Sequence, residues 1–378
     1  MWKSRLLYGA WLIAAAALYF FENNTGTRAV LAASVLLPAA SICCAAVSAR
    51  GLRASLSAPE RCAAGQSTSI SLNVRRLLPG AALCGALCAH ERLSGEDLLR
   101  PVCLSVPSAS FALPAAHCGV TEWTLRDASV QDLFGLCRFS VLPCEAAHTL
   151  VLPQLFPMQV SFSAGEAVSA QGEQWSSSRP GFDPSETFSL RAYMPGDPIR
   201  QIHWKLSSKT DTLMLRELGL PVTEETLLLL DTAAPAGAVD AAALDAAVTA
   251  LLSLSCALAA QGTAHSVGWR ASPSGDLRLC EVRRDSDFSA LQEQLLATAS
   301  AAGGEDVCTA FCSAGGGQSY AHTVVCALSL SVGLERLCRG NRVTLLLPDA
   351  ASVPEKSGAR ITVFSAESMA RELHILEI

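Results

Sequence analysis

The sequence predicts an α+β multidomain chain: an N-terminal two-helix transmembrane hairpin, an antiparallel β-sandwich, then an α/β doubly wound domain. Three observations predict it. Two long apolar runs stand close together at the N-terminus, although the 378 residues as a whole are only 16% charged. Short runs with partial two-residue alternation, separated by Gly and Pro, fill the next hundred or so positions. After them, fully apolar strand-like runs alternate with helical ones.

The first apolar run is "LLYGAWLIAAAALYFF", Leu6 to Phe21, and the second is "AVLAASVLLPAASICCAAVSA", Ala29 to Ala49. A bilayer crossing needs about 20 such residues, so the second run is long enough and the first is slightly short. Trp2, Tyr8, Trp11, Tyr19, Phe20 and Phe21 suit the headgroup level. A signal peptide would also follow Lys3 and Arg5, but a second apolar run within a few residues points to a hairpin. Lys3 and Arg5 before the first run, and Arg50 and Arg53 after the second, place both ends in the cytoplasm by the positive-inside rule. The expected location is the cell membrane, with the rest of the chain cytoplasmic. The 15 cysteines are scattered through apolar runs and are read as small hydrophobic thiols of a reducing compartment. Cys84, Cys88 and His90 are close in sequence but lack a fourth zinc ligand at familiar spacing, so they read as a buried strand.

The domain boundaries follow: residues 1–53 hairpin, 54–155 sandwich, 156–222 a linker carrying a polar signature, and 223–378 the α/β domain. In the sandwich, "STSISLNV", "LLRPVCLSV", "GVTEWTLRDASV" and "LCRFSVLP" are the strands, and Asp132 to Leu136, "DLFGL", is a turn into a final strand. In the last domain the strands are "TLLLLD", "HSVGWR", "DLRLCEV", "TVVCALSL", "RVTLLLP" and "RITVFS". The helices are about Val239 to Gln261, "DFSALQEQLLATAS", "VGLERLCR" and a closing amphipathic "ESMARELHILEI". No phosphate-binding glycine motif follows the first strand, and "AGGGQS" near Gly315 is only a glycine-rich loop, so no nucleotide cofactor is expected. The net charge of −6, without a basic tail, argues against nucleic acid as a partner.

The signature runs from Arg191 to Lys209, "RAYMPGDPIRQIHWKLSSK". Pro195-Gly196 marks a turn. Asp197 before Pro198 reads as a helix N-cap, with Arg200, His203 and Trp204 on the turns that follow and Trp204 burying its ring. Arg191 and Tyr193 precede the turn on one face of a strand. The candidate site residues are therefore Arg191, Tyr193, Gly196, Asp197, Arg200, His203, Trp204 and Lys205. Four accounts compete. The charged groups could pair across the junction of two domains; they could dock a partner protein; His203 could act as a base oriented by Asp197; or Arg200, Lys205 and Lys209 could hold an anion.

This pattern, with the following "LMLRE" and with "DLFGL" and "LVLP" upstream, resembles the domain-of-unknown-function 58 family of bacterial membrane proteins. The resemblance implies a C-terminal domain similar to a von Willebrand factor type A domain. It also implies association with MoxR-type AAA+ ATPases and with other type A-domain proteins. Metal-binding type A domains carry Asp-x-Ser-x-Ser after the first strand. Here the run is Asp231-Thr232-Ala233-Ala234-Pro235, a degenerate metal position, so no metal is expected. The resulting expectation is a membrane-anchored adaptor or scaffold with no catalysis of its own. The alternative is an envelope-associated hydrolase using the cluster from Arg191 to Lys209.

Overall fold

Long apolar runs with helix-period packing, then alternating strands, produce the elements seen in the computed structural model. It describes residues 2–22, 24–162, 174–175, 183–219, 221–233, 240–271, 275–298, 306–314, 319–338, 342–348 and 360–378. "AGGGQS" near Gly315 and the positions of Ala234 and Pro235 lie largely outside the described residues. The chain divides into two compact units, Met1–Leu152 and Pro153–Ile378.

The first unit begins with α1 (Trp2–Glu22) and α2 (Thr25–Gly51), both long and apolar enough to cross a membrane. Asn24 caps α2: its side chain accepts from the Thr27 amide at 2.8 Å, and the Thr27 hydroxyl accepts from the Asn24 amide. Tyr8 and Trp11 of α1 donate to Ser34 of α2, which sets the pairing of the two helices. α2 does more than the sequence reading assigns to it. Pro38, Ser41, Ala45 and Ser48 recur on one face and are buried, and Ala45 belongs to the core of the strands that follow. The second half of the apolar run is thus a lid on protein, because small side chains let the helix approach closely.

Nine strands follow: β1 (Arg53–Ser57), β2 (Arg61–Ala63), β3 (Ser67–Arg75), β4 (Ala81–Glu91), β5 (Asp97–Leu104), β6 (Ser108–Pro114), β7 (Gly119–Asp132), β8 (Arg138–Ser140) and β9 (Ala147–Leu152). One sheet has the order β1-β3-β6, and the other β2-β9-β7-β4-β5 with β8 on β7. All pairs are antiparallel except β2 with β9, which the expectation of an antiparallel sandwich did not include. Alternation places Ile70, Leu72 and Val74 of β3 and Leu83, Leu87, Trp123 and Leu125 of the larger sheet in one cluster. Trp123 is 2% exposed, and its indole donates to Thr149 at 3.0 Å.

The reading of every cysteine as a thiol needs one correction. Cys84 and Cys103 occupy directly paired positions on β4 and β5 and are joined as a disulfide, with 4.1 Å between their Cα atoms; the other 13 are outside any disulfide. Cross-strand pairing brought the sulfurs together, which spacing in the sequence does not show. A cavity of about 370 Å³ lies beside the pair, also lined by Asp127, Ser129 and Arg138.

The second unit contains β10 (Gln159–Ser161), β11 (Gln174–Trp175), β12 (Asp183–Ala192), α3 (Trp204–Thr210), β13 (Met214–Gly219), β14 (Pro221–Asp231), α4 (Ala241–Ala260), β15 (His265–Arg270) and β16 (Leu277–Val282). It continues with α5 (Asp285–Thr298), α6 (Val307–Ala314), β17 (Ser319–Ala327), α7 (Val332–Cys338), β18 (Val343–Pro348), β19 (Arg360–Phe364), α8 (Met369–Glu372) and β20 (Ile375–Glu377). Its main sheet has the order β16-β15-β14-β17-β18-β19, with β11 pairing β14. β15, β14, β17, β18 and β19 run parallel, and β16 closes one edge antiparallel. Leu227 to Leu230 are all 0% exposed, so both faces of β14 are covered. Leu227 and Leu229 pack with Val307 and Phe311 of α6 and with Leu334 and Leu337 of α7. α4 is apolar enough to cross a membrane, yet Leu251, Leu252 and Leu254 are fully buried and it packs on the sheet.

Two expectations are corrected in this unit. The closing "ESMARELHILEI" is one short helix and then β20, which pairs parallel with β10, because Leu376 is buried there as a strand residue. α6 was not read from the sequence, since "VCTAFCSA" has few strong helix formers and is held by packing.

Candidate functional site

The signature folds as a hairpin. β12 pairs antiparallel with β13 in the register Arg191↔Leu215 and Ser189↔Glu217. Ile202 bridges to Leu215 from the other side, and the His203 amide donates to the Met214 carbonyl at 2.8 Å. β13 is therefore held on both edges, and Ile202 and Leu215 are 7% and 2% exposed.

Pro195 and Gly196 make the expected turn, and Gly196 has φ +110°, a conformation that favours glycine. The turn closes through the Asp197 amide, which donates to the Met194 carbonyl at 3.0 Å. The Asp197 carboxylate does not cap a helix as the sequence suggests. It turns back to accept from the Met194 amide at 2.8 Å and from both terminal nitrogens of Arg191 at 2.7 and 2.8 Å. The single 3-10 turn at Ile199–Gln201 has no side-chain cap. A forked arginine offers two charge-assisted bonds and outcompetes a helix amide for the carboxylate.

Arg191 also donates from Nε to Glu217 at 2.9 Å, and the Ser189 hydroxyl donates to the other Glu217 oxygen. The bonds from Arg191 and the Met194 amide hold the Asp197 carboxyl down at about 2. Bonds from Ser189 and Arg191 lower that of Glu217. Arg191 is held firmly in its charged form by the same two carboxylates. The charge pairing anticipated for this stretch thus exists within one hairpin. Glu217 and Ser189 were missed as members. Their signal was available: Glu217 in "LMLRE" lies diagonally across the hairpin from Arg191, once the two strands are paired.

The rest of the signature separates from this cluster. His203 caps α3, its Nδ1 accepting from the Leu206 amide at 3.1 Å. The Ser207 hydroxyl donates to the His203 carbonyl and accepts from the Met214 amide, which ties α3 to β13. His203 and Asp197 are therefore committed to separate local tasks. Tyr193 is half-buried, and its amide donates to the Leu213 carbonyl. The expected burial of Trp204 is wrong: it is 62% exposed, because α3 begins at Trp204 and turns that side away from β13. Met194 and Ile199 are 64% and 65% exposed, and Arg200, Lys205 and Lys209 are exposed as well. The structure leaves these three apolar and three basic side chains open to solvent on the turn and on α3, between β12 and β13.

Asp231 ends β14 at the point where the strand order runs outward to β15 on one side and to β17 on the other, where open α/β sheets place their crevice. It is 2% exposed and accepts from the amides of Ala233 at 3.2 Å and Val307 at 3.4 Å. Burial pushes its carboxyl up to about 6, against those two bonds. Asp306 caps α6 through Thr309, and the Cys308 thiol is pushed far up by burial and by the carboxyls beside it. Ligand atoms of Asp231, Asp306 and Cys308 lie within 4.8 Å of one another, as do those of Glu91, Glu96 and His117 in the first unit. The Asp231 group fits a type A-domain magnesium poorly. Ala233 supplies no hydroxyl, Asp231 Oδ1 already accepts from two backbone amides, and the sulfur of Cys308 is soft where the ion is hard.

In the first unit, His90 pairs with Asp97 at 2.7 Å and Arg126 with Asp97 at 2.9 Å, while Cys84 is joined to Cys103. Cys84 is thus committed to the disulfide, while Cys88 and His90 both face Asp97.

Residues 189–275 match a family described as "Protein of unknown function DUF58". The match begins inside β12, takes in the whole signature, and runs through the first strands of the parallel sheet. The chain carries this family's sequence over that segment, as the signature residues suggested. No curated protein matches the chain.

Proposed function

We propose that this protein is a membrane-anchored adaptor whose signature hairpin docks a partner protein. The observation that carries the reading is the exposure of Met194, Ile199 and Trp204 beside Arg200 and Lys205, on a turn held by the Arg191 fork. Tryptophan and arginine dominate interface energetics, and a rigid display lowers the entropic cost of binding. α1 and α2 supply the anchor. The exposed surface and the local commitments of His203 and Asp197 favour docking over hydrolysis.

Three finer statements belong to the same proposal. The parallel sheet of the second unit is read as type A-like. Both termini are placed on the cytoplasmic side, a reading supported by Lys3, Arg5, Arg50 and Arg53. The partner class that the family resemblance implies is a MoxR-type AAA+ ATPase or a second type A-domain protein.

The test is affinity purification from solubilised native membranes, comparing the wild type with Arg200→Ala plus Lys205→Ala. The expected result is an ATPase or type A-domain partner that the double variant loses while its thermal melt is unchanged. A wild type that recovers neither class, or a melt that falls together with the interaction, would count against the reading.

A further inference from the structure

The "DLFGL" turn is not used by the proposed docking hairpin, and its geometry is unusual for a surface loop. It joins β7 to β8. The buried Asp132 carboxylate accepts from the amides of Phe134 at 3.1 Å and Cys137 at 2.6 Å, and the Asp132 carbonyl accepts from Gly135 at 3.0 Å. Gly135 has φ +67°. This framework holds Leu133 and Phe134 outward, 71% and 38% exposed. A fixed turn that presents two large apolar side chains outward is suited to contact with an apolar surface beside it.

Its neighbours say which surface that is. The Leu133 amide donates to the Ser41 hydroxyl of α2 at 2.9 Å. Arg5 of α1 donates to the Leu136 carbonyl at 2.8 Å. A Cβ on Gly135 would stand 3.4 Å from the Ser4 hydroxyl. The turn therefore lies level with Ser4, Arg5 and Ser41, where the two helices meet the sandwich. From Leu6 to Glu22 the helix rises only about 25 Å, against a hydrocarbon core of about 30 Å. A hairpin that short cannot span with its base held clear of the bilayer. Whatever touches the sandwich end of the hairpin is drawn to the interface. Lys3 and Arg5 are exposed at that level, as cations facing lipid headgroups would be.

We infer that the Asp132–Leu136 turn is a second membrane contact, with Leu133 and Phe134 seated in the interfacial layer of the same bilayer that holds α1 and α2. The contact fixes the sandwich to the membrane surface in one orientation. The inference rests on the anchoring reading, and goes beyond it by assigning lipid contact to the sandwich itself.

The test uses the full chain in phosphatidylcholine–phosphatidylglycerol vesicles, with photoreactive benzoylphenylalanine placed at one position at a time. The positions are Leu133→benzoylphenylalanine, Leu37→benzoylphenylalanine on the exposed side of α2, and Glu96→benzoylphenylalanine. Glu96 is exposed at the opposite end of β4, since Ala81 pairs with Asp132 and Glu91 with Thr121; that is roughly 30 Å from the turn. After illumination, mass spectrometry should find lipid adducts at 37 and 133 and none above background at 96. Adducts at 37 with none at 133, or only protein adducts at 133, would overturn the inference and leave the anchor standing. No lipid adduct at 37 would overturn the anchor and this contact together.

Discussion

Asp197 and Asp231 belong to the same unit and receive opposite treatment. Asp197 sits on a hairpin turn, gripped by both arms of an arginine, and its carboxyl is held down at about 2. Asp231 ends a buried strand, bonded to two backbone amides with Asp306 and Cys308 close by, and burial pushes its carboxyl up to about 6. The difference teaches where each one's value lies. A paired carboxylate beside water makes a rigid turn that can display other groups. A carboxyl deprived of water makes a strand end whose stability responds to protons.

The largest effect expected from this contrast is at Asp231. Its folded value exceeds its unfolded value of 3.8, so its contribution is fully present below pH 3.8 and is lost as pH rises through about 6. The shift corresponds to about 3 kcal/mol across that window. Asp231→Asn should flatten this part of the stability curve, measured by thermal melts of the full chain between those pH values. An unchanged curve would mean that the carboxyl is better solvated than its 2% exposure implies.

The sign reverses at Asp197. Its folded value is depressed, so its stabilisation is present above pH 3.8 and lost as pH falls through about 2. Arg191→Met should return the carboxyl toward 3.8, remove the loss on that acid limb, and leave the limb governed by Asp231 in place. It should also speed hydrogen exchange at the Met194 and Asp197 amides, which the turn protects. If exchange there does not change, the backbone alone holds the turn and the arginine is incidental.

The smallest effect should come from Trp204→Ala. The ring is 62% exposed, and removing it should move stability by no more than about 0.5 kcal/mol, while weakening capture of the partner. A clear drop in the melt would show that the ring is covered within the folded chain.

Much of the fold was legible because it is written in periodicity. "HSVGWR" is β15 to the residue, and the helix read at Val239 to Gln261 is α4 at Ala241–Ala260. Continuous apolar runs of this length have few alternatives to a strand buried on both faces or a helix packed against them. The candidate site was legible in its membership and not in its partners. Arg191, Asp197 and Gly196 were singled out by their residue types, whereas Glu217 and Ser189 join them only through strand register. The helix-cap reading of Asp197 failed because a local signal met a stronger nonlocal competitor.

The sequence by itself determined the two apolar N-terminal helices, most strands and helices of the parallel-sheet region, and the turn at Pro195-Gly196. All of these depend on neighbours within a few residues. Only the tertiary structure decided that Arg191 holds two carboxylates, that Trp204 faces outward, that Cys84 meets Cys103, and that the end of α2 closes a protein core. Each of those depends on which strand lies beside which. That choice is made by the burial of whole faces, which no short stretch of sequence carries.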